Sequence, residues 1–340
     1  MAFSRWAAFG SGLAAALAMI GCGGSSQPFG STTAIAPAAF PLSATVTPDR
    51  QKSWMMPNAR KATSLLYISN TGTSDVTVYT YLNGHGLLLV GKLTGFELPT
   101  GMCTDTSGNV WISDYSAEKL YEYAHGGSKP IETIRQHSGR PYDCSVDPKT
   151  GNLAVANQLP NHRYYSSGVV TVYPKGSTQG TTYRPPDGFS DVDFLAYDNQ
   201  SNLFVDGTVY YYGDPALFEL AKGASALTQL TLSGATLYQP GAISWLGPTL
   251  LLGDRDFQNQ GTSGAYRVFV SGSVATVVGT LPFAGTQEAY GSWRRATNVI
   301  VPDHPADTVR IYALKDGSLV SKLTDSVSLP FGATVSTVPK

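Results

Sequence analysis

Three sets of side chains in this sequence have the types and spacing to do chemistry. The first is acidic. Asp143, Asp191 and Glu288 stand at or near the starts of segments that read as short strands, and Asp114, Asn157, Asp254 and Asp303 end others. Carboxylate and amide oxygens converging from several strands hold hard cations such as Ca²⁺. Asp143, Asp191 and Glu288 are therefore the expected ligands if a metal binds. The same residue types at strand ends also accept hydrogen bonds from backbone N–H groups of a nearby turn, and this purely structural role is open at each position. The second set is aromatic and cationic. The stretches QLPNHRYYSSG, GTVYYYGDPA and DRDFQNQGTSG carry Arg163, Tyr164, Tyr165, Tyr210, Tyr211, Tyr212, Arg255 and Phe257. Aromatic rings beside Arg and Asn suit recognition of a protein, a peptide or a glycan. The third set is the pair Cys103 and Cys144. Opposite parity on neighbouring strands turns both toward one gap, where they are either disulfide-bonded or two buried thiols.

Familiar catalytic patterns are missing. The chain has five histidines, no G-x-S-x-G elbow, no H-E-x-x-H and no CxxC pair. His85 and His125 fall at hairpin tips where the equivalent residues are Lys175 and Lys222, which predicts solvated turn positions.

The elements that must position these residues come from a repeat. Each unit has an inner strand, usually opened by Pro: LPTGMCTD from Leu98, RPYDCSVD from Arg140, FSDVDFLAYD from Phe189, QPGAISW from Gln239, TQEAYGSW from Thr286 and LPFGATVS from Leu329. An apolar strand ending near Asn or Asp follows, and then a hairpin with a glycine-bearing tip. Inner strands begin about 42 to 50 residues apart, the length of a four-stranded propeller blade. The unit from Leu65 lacks an inner strand, and LPFGATVS has nothing after it. The C-terminal strand is therefore expected to complete the first blade, which predicts an all-β, six-bladed β-propeller over residues 63–340. In such a ring the three aromatic stretches and the acids share the face that holds the channel mouth.

The strand pattern, and phrases such as DTSGNVWISDYSAEKLYEY, resemble NHL-repeat propellers and the wider gluconolactonase (regucalcin-like, SMP-30) superfamily over about residues 64–340. The resemblance implies the propeller fold and two kinds of function. One is a binding module; the other is a metal-dependent hydrolase or lactonase using channel-mouth carboxylates. In gluconolactonase-like proteins the metal set includes a Glu near the propeller's start, whereas Glu288 lies on the sixth inner strand. The Asn-Gly metal motif of that family has no counterpart here. Binding through the loop-rich face is therefore the expected function, with no cofactor or at most Ca²⁺.

The first residues read as a targeting segment. Arg5 supplies a positive start, Trp6 to Ile20 form a short apolar run, and Met19-Ile20-Gly21-Cys22 resembles a lipobox. Cleavage would leave Cys22 to carry lipid and anchor the protein in a membrane. Gly23 after the cysteine, by resemblance to Gram-negative lipoproteins, permits sorting to the outer membrane. The expected organisation is a signal peptide over 1–21, a lipid-anchored linker over 22–62 and the propeller beyond it. Trp54, Met55 and Met56 are too apolar for a free linker and are expected to dock on the body. Net charge is −1 and only 14% of residues are charged, so no nucleic-acid-binding face is expected. The expected partners are the membrane and an envelope protein, peptide or glycan.

Overall fold

The computed structural model describes residues 52–158, 168–186, 189–209 and 214–338. Its strands form where β-branched and aromatic runs lie between turn-forming residues. The first group is β1 (Trp54–Met55), β2 (Ser64–Asn70), β3 (Asp75–Thr80) and β4 (Leu89–Leu93). Next come β5 (Pro99–Thr104), β6 (Val110–Asp114), β7 (Lys119–Tyr123) and β8 (Pro130–Arg135). Then follow β9 (Arg140–Val146), β10 (Leu153–Gln158), β11 (Val169–Tyr173) and β12 (Thr181–Tyr183). The fourth group is β13 (Phe189–Tyr197), β14 (Leu203–Val209), β15 (Pro215–Leu220) and β16 (Thr228–Ser233). The fifth is β17 (Pro240–Trp245), β18 (Leu250–Asp254), β19 (Gly264–Ser271) and β20 (Val274–Pro282). The last strands are β21 (Trp293–Arg295), β22 (Asn298–Asp303), β23 (Thr308–Ala313), β24 (Leu319–Leu323) and β25 (Pro330–Thr337).

Three of the first-to-second-strand turns are built alike. Asp105, Asp147 and Asp198 each accept the amide two residues on, from Ser107, Lys149 and Gln200. The left-handed position is held by Gly108, Gly151 and Ser201, at φ values of +82°, +75° and +73°. At the third of these turns Ser201, rather than a Gly or Asn, takes that conformation. The second strands are buried without alternation, as in Leu250–Asp254 and Asn298–Asp303, because each lies inside a stack of sheets with neighbours on both faces.

The chain closes on itself. β25 pairs antiparallel with β2, with Leu66 opposite Val335, Tyr67 opposite Thr334 and Ile68 opposite Ala333. Ser69 fastens this junction to the next sheet, since its Oγ accepts from Gly332 N at 2.8 Å and donates to Thr100 O at 2.6 Å. The innermost strands β25, β5, β9, β13, β17 and β21 each lie against the next, and β21 lies against β25. β1 adds an outer strand to this sheet by pairing with β4, and Met55 fills the space over Gly91.

One expectation needs correction. The strand expected from Thr286 is largely absent, and only Trp293–Arg295 forms regular pairing. The preceding residues bond sideways instead: Ala242 N donates to Tyr290 O, Gly291 N to Phe331 O at 2.8 Å, and Ala333 N to Gly291 O. The sequence predicts six blades. Among the described residues there are one five-stranded sheet, three four-stranded sheets and one eight-stranded sheet. The large sheet consists of two four-stranded meanders, β13–β16 and β17–β20, joined where β16 runs parallel to β20 over Thr231–Ser233. β20 is nine residues long, against five or six for β4, β8 and β24, and its start reaches the neighbouring meander.

Cys103 on β5 and Cys144 on β9 are joined in a disulfide with Cα atoms 5.6 Å apart. They sit in an apolar cluster with Trp111, Leu120, Ile134 and Val155 between the two sheets. Replacing both cysteines by serine is expected to lower stability by about 4 kcal/mol, from the loop entropy of a 41-residue separation. Phe331→Ala, at the closure, is expected to cost about 3–5 kcal/mol, whereas Leu319→Ala on the surface stays within about 0.5 kcal/mol. Urea denaturation of the variants against the parent measures all three.

Candidate functional site

The first strand of each unit begins beside the end of the second. Pro99 pairs with Asp114, Arg140 with Gln158, Phe189 with Val209, Pro240 with Asp254, Ala289 with Asp303 and Pro330 with Asn70. All of these positions therefore lie at one end of the strand stack, here termed the mouth.

Most of the strand-end acids have local tasks. Asp114 accepts the amides of Glu97 and Leu98, each at 2.9 Å. Asp254 does the same for Tyr238 and Gln239, Asp303 for Gln287 and Glu288, and the Asn70 side chain accepts Ser328 N. Each clamps the segment leading into the inner strand of its own sheet. Asn157 and Asp206 break the pattern. Asn157 Nδ2 donates to Val155 O and Thr171 Oγ1, and its Oδ1 has no partner. Asp206 accepts Phe194 N at 3.0 Å through one oxygen, and its buried Oδ2 has none.

Aromatic side chains from the inner segments pack on one another inside the ring. Tyr142 lies edge-on to Phe194 and Phe331, with centroids 5.5 and 5.0 Å apart, and Tyr290 stacks on Phe331 at 4.8 Å. Four elements thus contribute to one buried plug. Two of these rings directly follow the opening proline, in Pro141-Tyr142 and Pro330-Phe331. That placement was visible in the repeat but carried no chemical signal.

Arg255 rests on this plug. Its guanidinium carbon lies 4.6 Å from the Tyr290 centroid, its Nε donates to Pro240 O at 2.6 Å and its Nη1 to Glu288 Oε1 at 3.2 Å. The Arg255 side chain is 9% exposed and that of Glu288 22%, so the pair sits just beneath the surface. His304, edge-on to Tyr290, bonds Thr71 Oγ1, and burial holds its pKa below the ordinary value.

Below lie three buried carboxyl groups. Gln158 Nε2 donates to Asp193, whose pKa burial raises despite the nearby Arg255 charge. Burial, and after it the charge of Asp193, pushes Asp206 well above the ordinary carboxylate range. Burial lifts Asp143 to about 7, against amide bonds from Cys144 and Leu195 that favour its charged form. Gly101 makes room for this group, because a Cβ there would run into Asp143. Nothing in the sequence marks Asp193 and Asp206 as site residues, because they lie within strands rather than at strand ends.

The sequence-derived site is regrouped by these contacts. Arg163, Tyr164, Tyr165, Tyr210, Tyr211, Tyr212 and Cys22 lie outside the described residues. Arg255 is at the mouth, but ion-paired and stacked rather than free. Phe257, expected on the binding face, is a core residue: it packs on Tyr266 at 5.0 Å and fills the space left by Gly264. Asp143, Asp191 and Glu288 do not converge. Asp143 points inward to Leu195 N, Glu288 is held by Arg255, and Asp191 is partly exposed on β13 opposite Thr208. No group of three or more His, Cys, Asp or Glu side chains is arranged to hold a metal among the described residues. His125, expected to be solvated, is half-buried and bonded to Ser336 Oγ at 2.6 Å and Ala62 O at 2.8 Å.

A chain of the crystal structure of a nidogen–laminin complex superposes with a TM-score of 0.64 at 13% identity, covering 82% of this chain and all of that one. The fold is that of a β-propeller. Among curated proteins, peptidyl-glycine alpha-amidating monooxygenase A of Xenopus laevis is 33% identical over 84 residues, covering 21% of this chain and 9% of that protein. Peptidylglycine alpha-amidating monooxygenase of Rattus norvegicus is 26% identical over 103 residues, covering 26% of this chain and 11% of that protein. The chain thus spans about a tenth of the length of the curated relatives it matches. These likenesses support a propeller built from an NHL-like repeat. No family profile matches the chain.

The buried acids set a pH dependence. A carboxyl whose folded pKa is raised stabilises the fold while protonated, and this contribution is lost as pH rises from its unfolded value toward the folded one. For Asp143 that window runs from 3.8 to about 7. Stability is expected to fall across it, and Asp143→Asn is expected to flatten the slope. Urea midpoints at a series of pH values measure this.

Proposed function

We propose that this chain is a six-bladed, lipid-anchored propeller outside the cytoplasm that uses its mouth face to bind a protein partner. The observation that carries this reading is the aromatic plug of Tyr142, Phe194, Tyr290 and Phe331, capped by the Arg255–Glu288 pair. It fills the ring just under the mouth and Arg255 there is committed to Glu288, so the described residues offer a surface rather than a hole for contact. Exposed apolar residues border it: Tyr238 and Leu329, 40% and 38% exposed, on segments entering β17 and β25. Exposed apolar side chains beside a paired, partly buried charge suit a protein interface better than a small-molecule pocket. The six-blade count follows from treating the two meanders of the large sheet as separate blades. The structural neighbour comes from a complex of two proteins, which fits this reading. The metal-dependent lactonase alternative draws no support from the positions of Asp143, Asp191 and Glu288.

Two outcomes are expected. A photo-crosslinking amino acid at position 238 or 329 of the full chain in native cells captures the same protein from both positions and nothing from position 131, an exposed site on β8. Capture from position 131 alone would move the interface elsewhere. Cys22→Ala is expected to abolish incorporation of labelled fatty acid and shift the protein from membrane to soluble fractions. Unchanged fractionation would refute the lipid anchor.

A further inference from the structure

Two grooves open between sheets at the end away from the mouth, and their floors are built alike. One, of about 220 Å³, lies between β5–β8 and β9–β12. The other, of about 720 Å³, lies between the meanders β13–β16 and β17–β20. Each has a turn running from Asp to Asn, then an aromatic on the second strand paired with a Glu on the third. These are Trp111 opposite Glu122 in the small groove and Phe204 opposite Glu219 in the large one.

The two differ in what answers the glutamate. In the small groove Asn109 Nδ2 donates to Glu122 at 3.0 Å, and Lys175 at a hairpin tip forms part of the wall. In the large groove Asn202 Nδ2 is bonded to Asp198 at 2.9 Å, and among the described residues no side chain donates to or ion-pairs with the Glu219 carboxylate. The hairpin tip that carries Lys175-Gly176 in one carries Ser271-Gly272 in the other, and no Lys or Arg lines the large groove. Phe269, 47% exposed, and the half-buried Trp245 supply aromatic surface instead. Burial, and after it the charge of Asp198, raises the pKa of Glu219, as expected of a carboxylate whose surroundings lack a counter-ion.

We propose that the large groove binds an extended polypeptide segment through one arginine or lysine, its cationic head held between Glu219 and the rings of Trp245 and Phe269. A cation meets both features at once, since carboxylates and aromatic faces each attract positive charge. A neutral sugar would stack on the rings but leave Glu219 uncompensated. The volume exceeds one side chain and suits flanking backbone, for which the exposed amides of Asn199 and Gln200 offer donors and acceptors. The site lies at the end opposite Arg255 and stands whatever the mouth binds.

The test is calorimetric titration of the purified full-length protein with an acetylated Gly/Ser octapeptide carrying one central arginine. Its citrulline counterpart keeps the shape and removes the charge. The arginine peptide is expected to bind about tenfold or more tightly than the citrulline peptide. Glu219→Gln is expected to lose about the same factor, and Glu122→Gln, in the small groove, to lose nothing. Trp245→Phe is expected to abolish the change in tryptophan fluorescence on binding. Equal binding of the two peptides, no effect of Glu219→Gln, or no binding at millimolar concentration would overturn the proposal. Binding of maltohexaose alone would make the groove a glycan site. Binding of acetyl-arginine amide as tight as that of the octapeptide would exclude a polypeptide occupant.

Discussion

The antiparallel pairing of β2 with β25 is the constraint on which the rest of the structure depends. It brings residues 260 or more positions apart into register, and Ser69 extends the junction to Thr100 of the next sheet. Without it β2 would present an unpaired inner edge, Phe331 would leave the aromatic plug, and Tyr290 would lose its stacking partner. The mouth would lose its order with them, because Arg255 lies over Tyr290 and Asn70 holds the segment entering β25. The geometry of the candidate site is thus a product of closure rather than of any single loop.

The interior is unusual in what it buries. Apolar rings fill the ring near the mouth, yet Asp143, Asp193 and Asp206 lie buried nearby with a single arginine among the charges acting on them. Such groups cost stability unless they are hydrogen-bonded, protonated or paired. Asp193 has Gln158 and the field of Arg255, while Asp206 keeps an oxygen without a partner. Both Asn157 and Asp206 end or lie within the second strands that lead toward positions 159–167 and 210–213, outside the described residues. The departure from the clamping role of Asp114, Asp254 and Asp303 therefore falls in two adjacent units.

Much of the fold was legible in the sequence because each unit announces its own turns. Asp105, Asp147 and Asp198 open equivalent bends, and opening prolines mark several inner strands. Closure was legible from an unmatched strand at each end of the repeat. The side-chain arrangement was much less so. Phe257 looked like a surface aromatic because its stretch is polar, but the bare backbone of Gly264 admits it to the core. Glu288 looked like a metal ligand because nothing in one dimension shows that Arg255 reaches it. The loss of most of the strand from Thr286 was equally hidden, since Gly291 finds its hydrogen bonds on β25, far away along the chain.

The parallel contact between β16 and β20 has a mechanical meaning. Where the residues before β21 meet β17 and β25 the backbone bonds lie near the inner strands, whereas these two meanders share backbone hydrogen bonds along their outer margins. The described residues of β13–β20 are therefore stitched into a single panel. Any breathing of the ring should run along its other junctions, and the amides of Thr231 to Ser233 should exchange with solvent among the slowest at the perimeter.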